Sequence, residues 1–91
     1  MQNLFQAKIV TQDRVVYTGK VSSMVAPGEL GYLGVLANHA PLMSSLVSGK
    51  ITLREGSGRV VTFYSKGRGY LEVFKNNVTL LMDDVEAPES S

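Results

Sequence analysis

Ninety-one residues allow one domain with a thin core, because a chain this short buries only about 60–65% of the surface it exposes when unfolded. Nine Lys and Arg against eight Asp and Glu give a formal charge of +1 and no basic stripe, which excludes nucleic acid as an expected partner. With no cysteine there is neither a disulfide framework nor a thiolate zinc site.

The start, MQNLFQAKIV, lacks the charged and apolar blocks of a secretion signal, and no window approaches about eighteen apolar residues. No direct membrane insertion is therefore expected. In FQAKI, Phe5, Ala7 and Ile9 alternate with Gln6 and Lys8, the period-two pattern of a half-buried strand. QDR (12–14) reads as a turn. The stretch from Arg14 to Ala26 alternates again, with Val15, Tyr17, Val21 and Val25 in phase, and Gly19 in its middle predicts a bulge or bend.

PGELGYLGVLANHAPL, from Pro27 to Leu42, breaks the pattern. It is longer than a turn of about two to five residues and too apolar for a solvated linker, so it is expected to be a structured, partly apolar loop. Gly28, Gly31 and Gly34 read as residues that permit sharp turns and close backbone approach. APLMSSLVSG (40–49) is the best candidate for a short helical turn. KITLRE then resumes the alternation through Ile51 and Leu53, and EGSGR (55–59) is a glycine hairpin. RVVTFYS places Val61 and Phe63 on one face. SKGRG interrupts, with Lys66 and Arg68 expected to face water rather than to bind an anion or contact a partner, and YLEVF follows with Leu71 and Val73 aligned. KNN (75–77) supplies asparagines that tolerate the positive φ of a tight hairpin. VTLLM aligns Val78, Leu80 and Met82. Met24 and Met82 are expected in the core, and Met43 in the core or at an interface. The last residues, 85–91, carry acid, proline and serine without apolar periodicity and are expected to form a flexible C-terminal tail after a domain spanning 1–84. Short strands punctuated every eight to twelve residues predict an antiparallel sandwich or barrel.

Catalytic chemistry finds little support. His39 has Ser44 and Ser45 near it in sequence and Asp83 and Asp84 far away, but no nucleophile elbow frames them. One histidine with Glu29 as the only nearby acid does not build a metal site. The glycines lack the following helix that a phosphate cradle needs. What remains is a rigid scaffold bearing an apolar loop, a combination that usually meets a protein. A free-standing sandwich binding a peptide or carbohydrate, and a small hydrolase using His39, are the rival readings.

VVYTGKVSSMVAPGELGYLGVLANHAPL, followed by GKITLREG, GYLEV and NNVTLLMDD, resembles the epsilon subunit of F-type ATP synthases from about Phe5 to Asp84. The most specific parts are Gly28–Gly31, Gly34 with Val35 and Leu36, and Asn38–Leu42. The resemblance implies an all-β fold, an antiparallel β-sandwich of about ten strands in two sheets. It implies a non-catalytic rotor subunit of the central stalk, without cofactor or metal, that couples the proton-driven c ring to the gamma shaft and so supports ATP synthesis. It places the c-ring contact at Gly28, Glu29, Leu30, Gly31 and Tyr32, and the gamma-facing surface at Leu36, Asn38, His39, Ala40, Pro41 and Leu42. The leucines Leu30, Leu33, Leu36 and Leu42 either join that interface or cap the core. The implied location is peripheral, on the cytoplasmic face of a bacterial inner or thylakoid-type membrane. Departures from the family pattern are an apparent insertion at YLG (32–34), Ala37 in place of a proline, and a longer SKGRGYLEV. Typical members continue into a two-helix hairpin. The absence of helical period after Asp84 predicts a short form with no C-terminal helical domain.

Overall fold

A computed structural model describes residues 3–86. Seven strands follow one another: β1 (Phe5–Val10), β2 (Val15–Gly28), β3 (Gly31–Leu36), β4 (Leu42–Leu46), β5 (Gly49–Glu55), β6 (Val60–Phe74) and β7 (Asn77–Glu86). Among the described residues there is no helix. Every pairing is antiparallel except β1 with β7. The pairs β1–β2, β2–β5, β5–β6, β6–β7 and β7–β1 close a ring, so most edges that could template aggregation are consumed. β3 lies outside the ring along β2, and β4 lies along β6, with its ladder to β2 at Gly28 and Leu46.

The all-β class agrees with the period-two pattern; among the described residues the strands number seven, joined in one hydrogen-bonded network, fewer than the ten or so expected. The reason is continuity. The segments RVVTFYS and YLEVF belong to a single 15-residue strand, β6, which pairs β5 over Val60–Ser65 and β4 over Gly69–Val73. The 14-residue β2 likewise serves β1, then β5 and β3.

Outside β2, where Val15 and Val25 are exposed, alternation placed the core correctly. Phe5, Ala7, Ile9, Ile51, Leu53, Val61, Phe63, Leu71, Val73, Val78, Leu80 and Met82 are all buried, joined by Met24, Ala26, Val35 and Leu46. Burying a side chain of the Leu or Phe class contributes about 1.5–3 kcal/mol, so this one cluster dominates the stability of so small a fold. Two local readings are corrected. The bulge in β2 is not at Gly19, which pairs regularly with Ala7; the register shifts between Val21 and Ser23 against β5. One extra residue there reverses the faces, so Val21, Met24 and Ala26 point inward while Val25 is exposed. Gly19 instead leaves room for a ring: a Cβ there would stand 2.7 Å from the Tyr17 hydroxyl. The proposed helical turn over 40–49 is also wrong. Leu42–Leu46 is strand β4, and Leu46 is buried.

Of the two asparagines expected to take the positive φ only Asn76 does so; Lys75 takes the other place, because Asn77 already opens β7. At the β6–β7 turn, Lys75 (φ 47°) and Asn76 (φ 62°) take the left-handed conformations that a two-residue connection requires. Gly58 (φ 96°) does so in the β5–β6 turn. At the C-terminal end β7 runs to Glu86 with Val85 buried, two residues past the boundary expected at 84; the rest of the expected tail, 87–91, lies outside the described residues.

Candidate protein-docking surface

The sixteen-residue interruption is mostly ordered strand, not loop. Pro27 and Gly28 end β2, Glu29 and Leu30 form the turn, and Gly31–Leu36 returns as β3 with Gly28 opposite Gly31. The strand escaped sequence reading because Gly31 and Gly34 carry no side chain to show alternation. Two glycines are required at the tip. Gly31 has φ 128°, a conformation L side chains rarely adopt. At Gly28 a Cβ would lie 2.5 Å from Leu33 Cδ2 and 2.7 Å from the Gly31 carbonyl oxygen.

The tip is braced from three sides. The Glu29 N–H donates to the Ser45 carbonyl at 3.0 Å, and the Val47 N–H donates to the Pro27 carbonyl at 2.9 Å. The Lys50 N–H donates to the Tyr32 hydroxyl at 3.0 Å. The third support is a bulge in β6, where the register slips by one residue between Lys66 and Gly69 and Gly67 takes φ 79°. The Asp83 carboxylate accepts the Arg68 N–H at 3.0 Å, and Arg68 Nη1 reaches Glu29 Oε1 at 3.7 Å. On this frame Leu30 is 103% exposed and Tyr32 60% exposed. Leu30 is an apolar side chain open to solvent, and Tyr32 leaves much of its ring exposed while its hydroxyl is held by Lys50.

The gamma-facing candidates sit at the other end of β3, six residues or about 20 Å away. Leu36 is exposed on β3, and Asn38, His39, Ala40 and Pro41 form the exposed connection to β4. Asn38 has φ 62°, and its N–H donates to Asn76 Oδ1 at 2.8 Å. His39 Nδ1 donates to the Ala40 carbonyl at 2.7 Å, which turns the ring toward its own backbone. Asp83 is occupied by Arg68 near the opposite tip, so no triad assembles around His39. Among the described residues no group of three or more His, Cys, Asp or Glu could hold a metal ion. The four leucines divide: Leu33 and Leu42 pack against the core, whereas Leu30 and Leu36 face outward. Met43 is also exposed, which decides its earlier ambiguity against the core.

Sequence reading missed the supporting residues Ser45, Ser48, Asn76 and Asp83. Ser48 Oγ accepts the Gly67 N–H at 2.9 Å and so pins the bulge from β5's side. Each acts on a segment far along the chain, and no local pattern encodes such a contact.

The ATP synthase delta/epsilon chain β-sandwich domain model matches residues 4–88. An ATP synthase epsilon chain from Dichelobacter nodosus is 38% identical over 92% of this chain and 58% of its own length. One from Moorella thermoacetica is 39% identical over 90% and 60%. The chain thus spans about three fifths of the curated relatives it matches. Among solved structures, a chain of the Euglena gracilis mitochondrial ATP synthase OSCP/F1/c-ring assembly superposes with a TM-score of 0.86 at 18% identity, covering 97% of this chain and 55% of that one. A chain of the Tetrahymena thermophila mitochondrial ATP synthase central stalk and c ring gives 0.74 at 15% identity, over 96% and 69%. Those likenesses concern the fold; the sequence matches concern descent. The chain belongs to the delta/epsilon-chain β-sandwich domain family of ATP synthases.

Proposed function

We propose that this domain is a non-catalytic rotor part of the central stalk of an ATP synthase, coupling a c ring to the gamma shaft on the cytoplasmic face of a bacterial inner or thylakoid-type membrane. The β2–β3 hairpin tip, Glu29 to Tyr32, meets the c ring. The Leu36 to Leu42 segment meets gamma. The observation that carries the reading is Leu30, fully exposed on a tip held by the backbone bonds Glu29–Ser45 and Val47–Pro27 and by the Tyr32–Lys50 bond. An exposed apolar side chain on a rigid mount is an interface feature, since ordering it costs little when a partner arrives.

The division into two ends fits a coupling task. A part that links two rotating bodies needs two separate contacts joined by something stiff, and a ring of strands closed around one packed core is stiff. No cofactor enters this reading, and no reaction is assigned to the domain.

The test is Leu30→Asp in the full chain, measured by co-purification with c ring and gamma alongside a melting curve. Leu30 touches no other residue in a way the fold uses, so the melting temperature stays within about 3 °C of the wild type. Association with the c ring falls while gamma is retained. Unchanged c-ring association with an unchanged melt overturns the assignment of the tip.

A further inference from the structure

The connection Asn38–Pro41 has no side chain in the core, and among the described residues one hydrogen bond ties it to a distant part of the chain: the Asn38 N–H to Asn76 Oδ1, at 2.8 Å. Asn76 makes more contacts than a turn residue needs. Its Nδ2 donates to the Leu4 carbonyl at 2.8 Å, and its own carbonyl accepts the Gln6 N–H at 3.1 Å. The side chain thus spans three segments: the approach to β1, the β6–β7 turn and the β3–β4 connection. Its φ of 62° lets both ends of the amide reach their partners, a conformation Asn and Gly adopt readily and most residues do not.

We propose that Asn76 is a positioning residue for the gamma-facing segment, its amide oxygen fixing where His39, Ala40 and Pro41 stand before any partner binds. The proposal rests on the gamma-facing reading of that segment and adds the residue that prepares it. The physical need is clear. Asn38–Pro41 carries no strand ladder, and ordering such a segment only on binding weakens association. One hydrogen bond made beforehand removes part of that cost.

Two variants of the full chain separate the two ends of the amide. Asn76→Gly keeps the positive φ and loses both side-chain bonds. Asn76→Asp keeps an acceptor for the Asn38 N–H and loses the donor to Leu4. Amide hydrogen exchange at Asn38 and capture of purified gamma subunit are measured for both, with His39→Ala as the reference. In the Gly variant, exchange at Asn38 speeds up about tenfold or more and capture weakens by about tenfold, while the Asp variant keeps wild-type values of both. If the Asn38 amide stays protected in the Gly variant, the tie is not what holds the segment and the proposal is overturned. If protection is lost and capture persists while His39→Ala weakens it, the segment docks without being positioned, and the proposal alone fails. If protection is lost and neither Asn76→Gly nor His39→Ala changes capture, the gamma-facing reading itself fails, and the positioning role with it.

Discussion

Gly69 is the most demanding position in the fold. A Cβ built there would lie 1.9 Å from the Leu81 carbonyl oxygen, 2.6 Å from Met82 Sδ and 2.9 Å from the Leu81 carbonyl carbon. A side-chain end can rotate away, but the Leu81 backbone belongs to the β6–β7 ladder, where Tyr70 pairs with Leu81 and Gly69 with Met82. Gly69→Ala must therefore push β7 from β6 or shift the bulge. Overpacking of this kind costs about 3 kcal/mol, the upper end of its usual range. For a domain of this size that lowers the melting temperature by roughly 12–24 °C. Gly34→Ala provides the contrast. Its Cβ would meet only the Met24 carbonyl oxygen, at 3.9 Å, so it keeps the native fold and gains about 0.4–1 kcal/mol from the restricted unfolded chain. Thermal unfolding by circular dichroism reads both. A Gly69→Ala variant melting within about 3 °C of the wild type refutes the argument that the β6 bulge brings the two strands too close for any side chain.

Three further outcomes follow from the same geometry. Tyr17 donates to Glu55 Oε2 at 2.7 Å and stacks edge-on against Phe63; burial first, and then Glu55, push its pKa up to about 12. The folded state then holds a proton that the unfolded chain has lost, so stability is full below pH 10 and declines from there to 12; Tyr17→Phe lacks that component of the decline, as alkaline denaturation midpoints will reveal. Glu29→Gln breaks the exposed ion pair with Arg68 and changes stability by less than about 0.5 kcal/mol, because solvent screens both partners. Leu80→Ala, wholly buried between β1 and β6, costs about 2–5 kcal/mol in urea denaturation.

What could be read from the sequence follows from what alternation can carry. β1, β5, β6 and β7 each bury one face, so Phe5, Ile51, Phe63 and Leu80 announced themselves. β2 misled, since one extra residue before Ser23 exchanges inward and outward positions and leaves no compositional mark. β3 and β4 were hidden for different reasons: glycines erase the pattern in β3, and the paired serines inside Leu42–Leu46 break the alternation, so that the segment read as a short helical turn. The unusual crest of Gly, Leu and His was visible as a candidate. Its two contact stretches were expected from the family resemblance; that they stand at opposite ends of one strand was not, because that depends on β3 being a strand at all. The Asn38–Asn76 tie joins residues 38 positions apart and is a product of topology alone.

The chain has no cysteine, so a single introduced thiol reports on one place. Leu30→Cys and His39→Cys, each carried in the assembled complex and treated with a short cross-linker, test the two-ended account most directly. The account predicts a bond from position 30 to a c subunit and from position 39 to gamma, with neither crossing over. Both positions joining the same partner, or position 30 joining none, contradicts it.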